Sequence, residues 1–227
     1  MKQTILYLLL GTFLLASCQQ EETLPDNTAT GYLVLESIDV QVNQQTVSSR
    51  AVDADLYVDI LQEDAIFRQY GPGMVPDRIE LPEGTYRLHV YNAAATLPDP
   101  YDGNGVAIFE YTGEPITVEA NGTTLIEEIE VPMINFGVTL QLPEEFNTFF
   151  ENYAFTVTSD RSVELKEGET AYFPYNSDKV TFSYSLKATN ADGEESEPEG
   201  GTRNEVVSGT IYTVSYEMET QSFHVAR

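Results

Sequence analysis

The chain has 227 residues and sets 11 Lys and Arg against 37 Asp and Glu, a formal charge of −26. Such a field repels nucleic acid and anionic lipid headgroups, so binding to either is not expected. Most of the acidity reads as exposed faces of strands and loops.

Met1-Lys2 supplies a short positive start, and Ile5 to Ala16 is apolar apart from Tyr7, Gly11 and Thr12. This is the pattern of a secretory signal. A spanning helix needs about 20 apolar residues, more than this run offers. In form, Leu15-Ala16-Ser17-Cys18 resembles the bacterial lipobox, in which the Cys thiol is acylated and the peptide bond before it is cut. The chain's single Cys then becomes a lipidated N-terminus after a signal peptide of residues 1–17. The alternative is an incidental small hydrophobe, but a Cys ending a signal peptide cannot join the mature core. Several acyl chains anchor stably where one would not, and with Cys18 acylated no thiol is left for a disulfide. Gln19-Gln20-Glu21-Glu22 resembles the acidic signal that sends Bacteroidota lipoproteins to the outer face of the outer membrane; a plain solvated tether has the same composition. Residues 18–30 are read as that tether.

From Gly31 the pattern changes to period two. Tyr32, Val34, Glu36, Ile38, Val40 and Val42 alternate with Leu33, Leu35, Ser37, Asp39 and Gln41, as in a strand with one mainly buried face. Further strands are predicted at 55–61, 77–81, 85–92, 106–111, 115–119 and 123–133. Turn residues separate them: Gly71-Pro72-Gly73, Pro82-Glu83-Gly84, Pro98-Asp99-Pro100, Asp102-Gly103 and Asn121-Gly122. A second series is predicted at 137–142, 154–159, 162–165, 170–173, 180–189, 205–218 and 222–226. Residues 144–151 are the one expected helix, of a turn or two. Many short strands with such punctuation indicate an all-β chain of two consecutive β-sandwiches, at 31–134 and 135–227.

The sequence carries little sign of chemistry. His89 and His224 are the two histidines. His89 sits on the more polar face of Tyr86-Arg87-Leu88-His89-Val90-Tyr91, and His224 opposes Phe223 and Val225. Neither accompanies a nucleophile motif or a zinc pattern, so no catalytic residue, cofactor or enzyme activity is assigned. Facing carboxylates of a glycosidase are invisible in one sequence, but the chain offers no Trp and no long loops for a cleft. Asp99, Asp102 and Asn104 could give oxygen ligands to calcium, although their spacing departs from an EF-hand loop and the same residues make common turns. Asn190 to Gly201 reads as a solvated hairpin loop. Tyr101, Tyr111, Tyr172 and Tyr175 could stack sugars, or could be packed strand residues with their hydroxyls at the edge.

Five stretches carry a family resemblance: Gly31-Tyr32-Leu33-Val34-Leu35, Arg50-Ala51, Asp55-Leu56-Tyr57-Val58-Asp59-Ile60, Ile79-Glu80-Leu81-Pro82-Glu83-Gly84-Thr85-Tyr86 and Pro100-Tyr101-Asp102-Gly103. In this order they resemble a Bacteroidales surface lipoprotein family related to the fimbrillin-like proteins of type V pili, which include cell-adhesion proteins. The resemblance implies an outer-membrane-anchored structural or adhesive subunit or accessory protein, with other fimbrial subunits as partners. It also implies processing: in fimbrillins an Arg-specific surface protease removes the first strand, and a strand of the next subunit fills the groove. Arg50-Ala51 lies where that cut would fall; Arg50 could equally be an ordinary loop residue. The chain stops at Arg227, directly after its last strand, with no clear segment to donate, which favours an anchor, accessory or tip-like subunit, or an adhesin that never assembles. The other reading is a glycan-binding accessory lipoprotein of a polysaccharide-uptake system.

Overall fold

The computed structural model describes residues 29–43, 45–47, 55–176 and 180–227. Cys18, Arg50 and Ala51 lie outside the described residues. Among the described residues no helix is long and apolar enough to cross a membrane.

The first half contains β1 (Thr30–Leu35), β2 (Ile38–Val42), β3 (Gln45–Val47), β4 (Leu56–Gln62), β5 (Ala65–Tyr70), β6 (Ile79–Pro82) and β7 (Gly84–Asn92). After a single 3-10 turn at Ala93–Thr96 come β8 (Glu110–Thr112), β9 (Ile116–Val118), β10 (Thr123–Ile126) and β11 (Ile129–Pro132). They pair in the orders β10-β1-β6, β11-β2-β3 and β5-β4-β7-β8, with β9 also on β7. Period-two burial fills the space between them: Val58 and Ile60 on β4, Tyr86, Leu88 and Val90 on β7, and Ile129 and Val131 on β11 all point into one aliphatic core.

The second half contains β12 (Phe136–Gln141), α1 (Phe146–Phe149), β13 (Phe150–Thr158), β14 (Ser162–Leu165), β15 (Thr170–Phe173), β16 (Phe182–Asn190), β17 (Glu199–Arg203), β18 (Ile211–Glu217) and β19 (Ser222–Ala226). Two four-stranded sheets, β15-β12-β18-β19 and β14-β13-β16-β17, form a β-sandwich. Between them Phe136 stacks on Phe173 and Phe182, with ring centroids 5.5 and 6.1 Å apart, and Phe155 and Tyr212 complete an aromatic core. The chain is thus all-β with two cores, one built from residues 33–133 and the other from 136–214.

Several sequence expectations are corrected. β5 was not expected, because the turn before it uses Glu63 and Asp64 in left-handed conformation (φ 51° and 63°), where Asn or Gly would have signalled a hairpin. The stretch 205–218 is not one strand: Glu205 and Gly209 have positive φ, and pairing begins at Ile211. The solvated loop expected at Asn190–Gly201 is shorter, since β17 starts at Glu199 and pairs with β16. Residues 106–109 are largely outside a strand. Asparagine amides stand in for a neighbouring strand there: Asn135 Nδ2 donates to Val106 O and Asn92 Nδ2 to Ala107 O, while Ile108 N–H donates to Asn135 Oδ1 and Phe109 N–H to Asn92 Oδ1.

Candidate functional site

The segment 30–42 is first among the strands yet central in space. β1 runs parallel to β10 and antiparallel to β6, so both of its backbone edges are paired. β2 likewise lies between parallel β11 and antiparallel β3. Tyr32 faces Thr123, Leu35 faces Ile126, Ile38 faces Ile129 and Gln41 faces Pro132, so one parallel register runs the whole length. Glu36 N–H to Ile126 O and Ile129 N–H to Ser37 O, both 3.0 Å, carry it across the break between β1 and β2.

The inward face nevertheless changes parity at that break. Leu33 and Val40, one odd and one even, are both fully buried, and Leu35, Ile38 and Val42 pack against the same core. The continuous alternation expected over residues 31–42 is therefore corrected: around Glu36-Ser37 the strand leaves the β6 side and joins the β3 side, and β10 and β11 turn with it. Gly31 belongs to this site for a steric reason. A Cβ there would run into the Glu119 carbonyl oxygen and lie 2.8 Å from Val118 Cγ1. Arg78 rests its guanidinium 3.3 Å from the Tyr32 ring centroid. At the far end Asn43 N–H donates to Gly209 O (2.7 Å) and Asn43 Oδ1 accepts from Ile211 N–H (2.8 Å), tying the segment to the second half.

The calcium candidates lie in a turn that touches the second half. Asp99 Oδ1 accepts from Tyr101 N–H (3.2 Å) and Asp102 Oδ1 from Gly103 N–H (2.9 Å), so both carboxylates bond backbone of their own loop. The Asn104 carbonyl accepts from Tyr172 N–H at 2.7 Å. Among the described residues no group of three or more His, Cys, Asp or Glu is placed to hold a metal. Arg161 Nη2 donates to Tyr172 O (2.7 Å), and a Cβ on Gly105 would sit 2.9 Å from that same oxygen. Backbone packing, with a glycine at φ 71°, thus joins this loop to β15.

The four nominated tyrosines do not form a shared platform. Tyr101 bonds Asn135, Tyr172 packs against the first core, Tyr111 lies on β8, and Tyr175 is exposed. Burial pushes the Tyr101 and Tyr172 hydroxyls above the ordinary tyrosine pKa.

A polar cluster that the sequence reading missed sits on the outer face of β4, β5, β7 and β8. Gln69 Nε2 donates to Asp59 Oδ1 (2.8 Å) and to Tyr91 Oη (3.0 Å), and His89 Nε2 lies 3.0 Å from Glu110 Oε1 and Nδ1 3.8 Å from Asp59 Oδ2. Tyr91 stacks between His89 and Tyr57, with centroids 4.6 and 5.4 Å away. The pairing of Asp59 with His89 across β4 and β7 was the available signal, but it required the strand register. Each member is engaged by another, and no Ser, Thr or Cys nucleophile takes part in these bonds. The arrangement suits a part-buried structural network, with Asp59 at its buried end and Glu110 at its exposed one.

Compared with curated proteins, the sequence has no match. Among solved structures, a "putative cell adhesion protein" of Bacteroides fragilis is similar at 8% identity and TM-score 0.44, covering 86% of this chain and 95% of that one. A "putative adhesin" of Bacteroides ovatus is similar at 10% identity and TM-score 0.41, covering 92% and 97%. A "putative cell adhesion protein" of Bacteroides ovatus is similar at 16% identity and TM-score 0.40, covering 88% and 96%. A family model matches residues 29–225, nearly all of the described chain, and on that match the protein belongs to the family described as "Domain of unknown function (DUF4493)".

Proposed function

We propose that the protein is an outer-membrane-anchored surface lipoprotein, held through acylated Cys18, that serves as a structural and adhesive fimbrillin-like subunit or accessory protein. The supporting observation is the position of residues 30–42: a terminal segment occupies the middle of its sheets, with Leu33 and Val40 fully buried. Taking it away would unpair the facing edges of β6, β10 and β11 and open an apolar slot along the first core. Unpaired edges of that kind are satisfied by an added strand. A cut between Arg50 and Ala51 would free this segment, and a strand of another subunit would take its place. Without the cut the segment stays, and the protein acts as an anchored or accessory subunit that presents its β body above the membrane.

Mass spectrometry of the mature N-terminus, on protein taken from the surface of its host, tests both parts. A chain beginning at acylated Cys18 supports the anchored subunit. A chain beginning at Ala51 and carrying a strand of a second protein supports assembly by strand exchange. An unlipidated chain that retains Cys18 would remove the anchor from the reading.

A further inference from the structure

A pocket of about 220 Å³ opens at one end of the second sandwich, far in sequence from the first strand. Its origin is a mismatch in strand length. β16 continues to Asn190, whereas β17 first pairs at Glu199 opposite Leu186, so beyond Leu186 that edge of β16 is met only by an isolated bridge, Thr189 to Glu195, and the short loop around Ser196. Phe146 of α1 and Phe150 of β13 close one side, Leu186 and Ala188 form the floor, and Tyr216, Ser196 and Gln221 complete the wall. Phe146 is 4.8 Å from Phe150 and 5.9 Å from Tyr216 between ring centroids, the latter edge to face.

Glu199 is the one acidic group in this lining, and no Lys, Arg or His faces it there. Tyr216 lies beside the Glu199 carboxylate, and Glu199 Oε2 is shut off from solvent with no hydrogen-bond partner. A carboxylate oxygen in apolar surroundings without a donor or countercharge is costly. Neither neighbouring cation on β16 or β17 pairs with it: Lys187 Nζ is 2.6 Å from Glu195, and Arg203 lies over the Tyr212 ring with its Nε buried and unpartnered. The torsion that turns a Glu carboxylate is soft, so Oε2 can swing toward the cavity at little cost.

We propose that this pocket binds an organic cation, a guanidinium or ammonium head on a short alkyl stem. The head pairs with Glu199, and the stem lies against the half-buried rings of Phe150 and Tyr216, whose faces favour a cation. The volume is about that of seven waters, which suits such a group and falls below the ~300–1,000 Å³ of larger ligand sites. The formal charge of −26 draws cations toward the protein. This site is independent of the first strand and of its exchange.

The test is a titration of the full-length chain, followed by NMR amide shifts, with n-butylguanidinium and its neutral isostere n-butylurea. Saturable guanidinium binding is expected, with shifts at Glu199, Tyr216 and Gln221, and urea binding about tenfold weaker or worse. Glu199→Gln keeps the shape, removes the charge and should erase the difference between the two probes. The guanidinium-to-urea comparison on the unsubstituted chain stands even if that variant folds poorly. Acetyl-Gly-Arg-Gly-amide and free butylamine separate the sources: tighter peptide binding indicates a basic side chain of a partner protein, tighter amine binding a small molecule. Equal affinity for urea and guanidinium, absence of saturation, or preferential binding of methyl glucoside overturns the proposal.

Discussion

The two halves close their cores with terminal strands in opposite ways. In the first half the opening segment, β1 and β2, lies inside the sheets, paired on both edges, and drives Leu33 and Val40 to full burial. In the second half the closing strand β19 is added at the edge of β15-β12-β18-β19, and its Phe223 and Val225 are only partly buried against the core. The fillings differ as well: Tyr86 and Phe109 are the fully packed aromatics among many aliphatics in the first core, whereas Phe136, Phe146, Phe155, Phe173, Phe182 and Tyr212 dominate the second. One terminal strand is integral and the other appended. The integral one is paired on both edges; the appended one is paired on one.

The contrast breaks most sharply at Leu33. Leu33→Ala removes a fully buried side chain from the integral strand and should cost about 2–5 kcal/mol. Hydrogen exchange should show faster opening at Ile60 and Val90 while Val138 and Tyr212 keep their protection; equal loosening of both sets would show that the cores do not stand apart. Asn135→Ala comes next, at about 1–3 kcal/mol, because it strips partners from Ile108 N–H and Val106 C=O at a site that is 1% exposed. The Asn135 backbone also accepts from Gly209 N–H (2.8 Å), a bond alanine keeps, so loosening should centre on the amides of 106–109. For the appended strand, Phe223→Leu keeps apolar volume but loses ring contacts with Tyr184 and Tyr216, 5.3 and 5.0 Å away. A loss of about 1 kcal/mol is expected, read from the shift in denaturant midpoint. A loss as large as that at Leu33 would show that β19 is as integral as β1.

The same contrast explains what could be read without a structure. Strands with inward apolar residues at period two, such as 162–165, 170–173 and 222–226, were legible because burial imposes that pattern on each strand alone. β5 was not, since Ala65 and Ile66 are exposed and its turn is made by Glu63 and Asp64. The parity change at Glu36-Ser37 was hidden because both parities in 31–42 carry apolar residues, and only the neighbours β6 and β3 decide which face is inward. The resemblance pointed to the first strand, but its central place depends on β10 and β11, about 90 residues later in register. The Glu199 pocket has no local signature: its walls come from five elements, and the acidic loop beside it reads as plain solvated chain.

The smallest expected effect lies where the halves meet. Tyr172 sits on β15 of the second half, packs against the first core and receives the Asn104 contact through its N–H. Burial raises its hydroxyl pKa above 10.0, so the folded protein holds that proton more tightly than the unfolded chain does. The stabilising effect of the neutral hydroxyl is fully present below the unfolded value and is lost as pH rises through the folded one. Thermal stability should therefore hold from neutral pH to about 10 and fall beyond it, together with tyrosinate absorbance. Tyr172→Phe has no proton to lose and should flatten part of that decline, while changing stability near neutrality by about 0.5 kcal/mol or less. An unchanged alkaline slope in this variant would move the effect to another buried hydroxyl, with Tyr101, raised by burial in the facing loop, the next to substitute.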